Sequence, residues 1–178
     1  MQLATLRTGF GTSAIRIDGD NVGVELDYED VGQLLRSEDW RKAAQLSGEP
    51  VVFDHADLEA VVPAPGKVIC VGLNYAKHIR EMGREFPEHP TLFIKFADAL
   101  TGPYDDVFIP EYGTQKLDYE GELAVIIGER AHRVCRDEAL NYVAGYAIMN
   151  DYTLRDFQRQ TSPVSYTHLR AHETRGNI

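Results

Sequence analysis

Residues 117–127 read Leu117-Asp118-Tyr119-Glu120-Gly121-Glu122-Leu123-Ala124-Val125-Ile126-Ile127, and the apolar, β-branched second half predicts a β-strand. Side chains at i and i+2 of a strand point to the same face, so Glu120 and Glu122 would lie side by side with Gly121 facing away. Two adjacent carboxylates repel each other unless a cation lies between them. The stretch therefore predicts either a divalent-metal site or the solvent face of an amphipathic β-ribbon.

A third carboxylate follows about thirty residues later, in the pair Asn150-Asp151. Residues 145–149 predict a buried strand that delivers this pair at its end. Mg²⁺ and Mn²⁺ prefer oxygen ligands, and ligands at strand ends are held more firmly than ligands on loops. Asp151 is therefore the candidate third ligand.

A second group of polar residues lies upstream, at residues 67–82. A buried strand is predicted over 68–71, followed by a helix over 75–82 that Asn74 could cap. His78 and Glu81 are three residues apart, so they share one face of that helix. The pair is either a general base, in which the carboxylate orients the imidazole, or a surface ion pair.

Four segments together resemble the fumarylacetoacetate hydrolase family, in its order and spacing. They are VGLNYAKHIREM (71–82), PTLFIKF (90–96), LDYEGELAVIIG (117–128) and VAGYAIMNDYTLRD (143–156). The resemblance implies that Glu120, Glu122 and Asp151 bind Mg²⁺ or Mn²⁺. It also implies that His78 and Glu81 form the acid/base dyad.

Two basic residues in these segments are candidate substrate-binding residues. Lys95 could neutralise the charge of an anionic substrate, or it could be a surface lysine at a strand end. Arg155 could orient the substrate or brace the segment that carries Asp151. The sequence alone leaves both alternatives open for each residue.

The fold implied by the resemblance is α+β and mainly β, a small N-terminal β-domain followed by the first part of a mixed β-sandwich roll of the fumarylacetoacetate hydrolase type. The N-terminal domain is expected over 1–62 and the catalytic domain over 63–162, with its C-terminal half missing. Residues 163–178 resemble a translated sequencing adapter, so we expect a non-native tail and exclude it from the fold. The 178-residue chain is therefore expected to be inactive, and a longer parent protein active.

Local patterns refine the N-terminal part. Short strands are predicted over 3–6, 14–17 and 22–26, and helices over 31–35 and 40–46. The two cysteines, Cys70 and Cys135, lie in unrelated apolar segments and are predicted to be thiols rather than a disulfide.

The charge composition of the chain argues against some classes of binding partner. The chain has 28 acidic and 18 basic residues and a formal net charge of −10, which argues against nucleic acid or an anionic membrane surface. No apolar run reaches the length of a membrane-spanning helix, and residues 1–7 lack the apolar core of a signal peptide. These observations predict a cytoplasmic protein, and the resemblance implies a small anionic 2-oxo acid as substrate and a homodimer for the longer parent.

The function implied is metal-dependent hydrolysis of a carbon–carbon bond in an acylpyruvate or fumarylpyruvate-like 2-oxo acid, in aromatic compound catabolism. One alternative on the same scaffold is a 2-hydroxyhepta-2,4-diene-1,7-dioate isomerase or 5-carboxymethyl-2-oxo-hex-3-ene-1,7-dioate decarboxylase. Another is a non-catalytic binding module or inactive fragment.

Overall fold

A computed structural model describes residues 1–109 and 116–158, which fold into antiparallel sheets of two or four strands with a few helices of one or two turns. Contacts divide the chain into two units. The first contains residues 1–64, 101–106 and 119–152, and the described residues of the second are 65–100, 107–109, 116–118 and 153–158. The fold is α+β and mainly β, as the sequence predicted.

Most of the regular structure in the described residues is β-strand. In chain order, the strands are β1 (Gln2–Thr8), β2 (Gly11–Ile17), β3 (Val22–Glu25), β4 (Pro50–Val52), β5 (Val68–Gly72), β6 (Thr91–Lys95), β7 (Leu117–Asp118), β8 (Gly121–Ile127), β9 (Val143–Asn150) and β10 (Thr153–Leu154). The helices are α1 (Val31–Leu35), α2 (Trp40–Ala43), α3 (Ala76–Glu81) and α4 (Arg155–Gln158), and three-residue-per-turn helices cover His55–Asp57, Ala97–Ala99 and Arg136–Tyr142.

In the first unit, β1 to β4 form one antiparallel sheet in sequence order. The core beside it contains apolar side chains from the sheet and from α1 and α2, among them Ala14, Leu34 and Trp40. Thr5 is also fully buried, and its hydroxyl donates to the Val61 carbonyl at 2.9 Å while accepting from the Val31 N–H at 3.1 Å. Both partners satisfy this buried polar group.

The first unit also contains the ribbon β8–β9, an antiparallel pair. Burial alternates along β8, with Glu122 half-buried and its neighbour Leu123 exposed. This period of two is typical of a strand with one covered face. The regular pairing begins at Gly121 opposite Asn150. Glu120, which precedes Gly121, and Asp151, which follows Asn150, therefore lie at the end of the ladder.

In the second unit, β5 pairs with β6 and β7 pairs with β10. Helix α3 (Ala76–Glu81) lies within the predicted helix 75–82 and is one residue shorter at each end. Its N-cap is Tyr75, without a side-chain cap hydrogen bond, whereas the sequence suggested Asn74. The preceding Leu73 has a φ of 54°, so the chain makes a left-handed turn before the helix and Asn74 lies outside the cap position.

The predicted domains 1–62 and 63–162 stay predictions, and the predicted tail 163–178 lies outside the described residues. Across the described ranges, no helix combines the length and apolar character needed to cross a bilayer.

Candidate metal centre

Glu120, Glu122 and Asp151 lie together in the first unit. One carboxylate oxygen from each residue can be chosen so that all three lie within 4.8 Å of one another. Asp151 is 2% exposed and the two glutamates are half-buried. The structure thus brings together the three residues that the sequence predicted as metal ligands.

The strand pair explains this convergence. Glu120 and Glu122 are on either side of Gly121, the first residue of β8, so the pleat directs both side chains to one face. Asp151 follows β9 directly, and its backbone N–H donates to the Glu120 carbonyl at 2.8 Å. Opposed residues of an antiparallel pair present their side chains to the same face, so Asp151 joins the two glutamates.

The donor set suits a hard dication. All three groups are carboxylates, which Mg²⁺ and Mn²⁺ prefer over nitrogen or sulfur ligands. An octahedral Mg²⁺ holds its oxygens about 2.0–2.1 Å away, which places ligand oxygens roughly 3–4 Å apart. A spread of at most 4.8 Å therefore fits such an ion after side-chain adjustments of less than about 1 Å.

Asn150 makes a contact that the sequence did not indicate. Its side-chain Oδ1 accepts a hydrogen bond from the Glu120 backbone N–H at 3.0 Å. The position of Asn150, directly before a predicted ligand at a strand end, was visible in the sequence. The register that brings it to Glu120 was not.

The predicted dyad lies on α3 in the second unit, where His78 and Glu81 are both exposed. The Glu81 carboxylate lies 3.8 Å from the ammonium group of Lys77, one helical turn before it. Within the residues that the structure describes, no hydrogen bond joins His78 to Glu81. The acid/base role of the pair stays a prediction.

The two predicted substrate-binding residues also lie in the second unit. Lys95 is the half-buried last residue of β6. The Arg155 guanidinium donates from Nε to Asp118 Oδ2 at 2.8 Å and from Nη1 to Gln158 Oε1 at 3.1 Å. Arg155 is therefore part of a local ion pair, and its role in substrate binding, like that of Lys95, stays a prediction.

Comparison with known proteins places this site in a family. Residues 67–176 match the family model described as fumarylacetoacetate (FAA) hydrolase, C-terminal. This range includes most of the stretch predicted to be a non-native tail, whose origin stays a prediction.

Three similar proteins are named for three different reactions. The oxaloacetate tautomerase YisK of Bacillus subtilis is 47% identical over 106 residues, which are 58% of this chain and 35% of that protein. The crystal structure of a 5-carboxymethyl-2-hydroxymuconate delta-isomerase from Mycobacterium smegmatis matches with a TM-score of 0.72 and 29% identity, covering 93% of this chain and 60% of that one. A fumarylacetoacetate hydrolase from Exiguobacterium antarcticum matches with a TM-score of 0.72 and 30% identity, covering 90% and 58%.

The chain thus spans no more than 60% of the length of any of these three relatives. The family match nevertheless covers more than half of this chain, and the fold matches those of the two solved relatives. The chain belongs to the fumarylacetoacetate hydrolase family.

Proposed function

We propose that the protein is a Mg²⁺- or Mn²⁺-dependent enzyme that interconverts the enol and keto forms of a small 2-oxo acid. The observation that carries the proposal is the convergence of Glu120, Glu122 and Asp151 on one face of the β-ribbon. A cluster of three carboxylates is costly to hold together unless a cation compensates its charge.

The names of the relatives support this substrate class. Oxaloacetate and 5-carboxymethyl-2-hydroxymuconate are carboxylates with a carbonyl or enol group, and a tautomerase or isomerase moves a proton within such a molecule. The tautomerase is the more similar in sequence, at 47% identity. We therefore place tautomerisation of an oxaloacetate-like acid first.

In this proposal, Glu120, Glu122 and Asp151 hold the ion, which when bound supplies Lewis-acid polarisation of the substrate's oxygen atoms. The buried Asp151 is fixed through its backbone N–H and restricts movement of the site. Moving a proton between the carbon beside the keto group and the keto oxygen needs a general base, and the resemblance implies this role for His78, with Glu81 as the group that stabilises the imidazolium. Tautomerisation of this kind consumes no water and leaves every carbon–carbon bond intact.

Hydrolysis of a carbon–carbon bond in an acylpyruvate is the second candidate. It is favoured by the match to a fumarylacetoacetate hydrolase. In that reaction the base would remove a proton from water, the resulting hydroxide would attack the distal carbonyl, and the carbon–carbon bond would break to release a carboxylic acid and pyruvate enolate, which takes up the proton. The two candidates therefore differ in their products.

Mn²⁺ binding tests the metal centre directly. Chelator-treated protein is titrated with MnCl₂ and free Mn²⁺ is followed by electron paramagnetic resonance. We expect one site in the wild type and at least tenfold weaker binding in Glu122→Gln, which removes a ligand charge without changing its size. The exposed Glu138→Gln is the matched control and should bind as the wild type does.

Substrate assays with the loaded protein then separate the candidates. Accelerated loss of enol-oxaloacetate absorbance without new carboxylic acids supports tautomerisation. Formation of pyruvate from an acylpyruvate supports hydrolysis instead. A wild-type protein that binds no Mn²⁺ would refute both.

A further inference from the structure

We propose that Asn150 is a positioning residue of the metal centre, because its side chain fixes the backbone of the ligand Glu120. The inference rests on the proposed metal site and adds a residue to it. Asn150 does not need to touch the ion, since its amide oxygen already accepts the Glu120 N–H at 3.0 Å.

Two hydrogen bonds hold Glu120 to consecutive residues of the facing segment. Its N–H donates to the Asn150 side chain, and its carbonyl accepts from the Asp151 N–H at 2.8 Å. The same short segment therefore fixes both polar groups of the Glu120 peptide backbone and also carries another ligand. A rotation of the Glu120 backbone would break one of these bonds and move the Glu120 carboxylate away from Asp151.

Because Glu120 lies at the end of the ladder, the hydrogen bond from its N–H to the Asn150 side chain matters for holding it in place. Regular pairing in β8 starts only at Gly121, opposite Asn150. Strand ends are more mobile than strand centres, and a metal ligand needs its geometry fixed in advance. The Asn150 side chain extends the pairing by one residue, to the ligand.

An amide suits this position better than most side chains. It accepts a hydrogen bond as a carboxylate would, but it adds no fourth negative charge beside Glu120, Glu122 and Asp151. Asn150 is exposed, so its NH₂ group can be solvated and truncation of the side chain leaves no cavity in the core.

The test compares Asn150→Ala, which removes the acceptor, with Asn150→Asp, which keeps it. Asn141→Ala is the control, because Asn141 is also exposed and lies in the Arg136–Tyr142 helix away from the ribbon pairing. Hydrogen exchange of the Glu120 amide is measured on metal-free, ¹⁵N-labelled protein, and Mn²⁺ affinity is measured on the same samples.

We expect Asn150→Ala to speed hydrogen exchange at the Glu120 amide and to weaken Mn²⁺ binding, each by about three- to tenfold. This range corresponds to the usual free-energy contribution of one hydrogen bond. Asn150→Asp should keep the wild-type exchange rate and bind Mn²⁺ at least as well, and Asn141→Ala should match the wild type. If the wild type binds Mn²⁺ and Asn150→Ala binds it equally well, this inference fails alone. If the wild type binds no Mn²⁺, the proposed function fails and the inference fails with it.

Discussion

Arg7 and Asp105 form a two-bond fork in which Nη1 donates to Oδ1 and Nη2 donates to Oδ2, each at 2.6 Å. The Arg7 Nε also donates to Glu59 Oε2 at 2.9 Å. The Asp105 carboxylate raises the pKa of Arg7, and the Arg7 guanidinium lowers the pKa of Asp105. One arginine of β1 thus holds two segments that are distant in sequence.

Replacing Arg7 with lysine should destabilise the protein by about 1 kcal/mol. Lysine keeps the charge but cannot make parallel bonds to both carboxylate oxygens, and partial exposure limits the loss. Urea unfolding measures the change. The control is Asp39→Asn, which removes an exposed ion pair with Lys42 and should cost less than about 0.5 kcal/mol. Equal effects of the two substitutions would contradict a special role for the fork.

The same pair predicts how stability depends on pH. The pKa of Asp105 is lower in the folded state than the ordinary value of about 3.9 in the unfolded chain. Its stabilisation is therefore complete above that ordinary value and is lost as the pH falls through the folded-state pKa. We expect Asp105→Asn to be less stable than the wild type at pH 7, and the difference to shrink in acid. Urea midpoints from pH 7 to 3 test this, and parallel curves would contradict it.

Gly102 is required by close packing beside this fork. A Cβ added there would overlap the carbonyl oxygen of Leu58 and lie 2.9 Å from Arg7 Nη2. Because one neighbour is backbone, it cannot turn away as a side chain could, and Gly102→Ala should cost about 1–3 kcal/mol. Gly66→Ala meets nothing within 4 Å and should stay within about 0.5 kcal/mol of the wild type. Thermal unfolding of the two variants provides the comparison.

The two roles considered for Arg155 can be separated by its ion pair with Asp118. If Arg155 braces its surroundings, Arg155→Lys and Asp118→Asn should lower the unfolding midpoint by similar amounts and leave KM unchanged. If Arg155 binds substrate, only Arg155→Lys should raise KM for the 2-oxo acid. The structure favours the bracing result, because the guanidinium already donates to both Asp118 and Gln158. Steady-state kinetics and thermal unfolding on the same samples test this.

Local sequence patterns predicted the parts of this structure that depend on short-range geometry. The spacing of two residues predicted that Glu120 and Glu122 share a face, whereas the assignment of both glutamates and Asp151 to one site came from the family resemblance. Helix α1 was predicted at its observed bounds, and Asp30 caps it by accepting from the Gln33 N–H. The shared face of the two glutamates and the bounds of α1 need only periodicity and capping chemistry.

Features that depend on the neighbours of a residue were not predictable in this way. The Arg7–Asp105 fork joins residues 98 positions apart, and no local pattern indicates it. Helical spacing places both Lys77 and His78 within reach of Glu81, but it could not show that Lys77 forms the ion pair, at 3.8 Å. Residues Arg136–Tyr142 form the tighter helix with three residues per turn, and local sequence patterns do not distinguish such a helix from a short α-helix.

The period of two in β8 also limits how this segment can change in length. Removing one residue between Glu122 and Ile126 would exchange the two faces for every position beyond the deletion, so covered side chains would meet solvent and exposed ones would turn inward. Substitutions in the ribbon alter one side chain at a time, whereas a single-codon deletion would rearrange a whole strand. Length changes should accordingly be tolerated in the connecting loops and rejected within the ribbon.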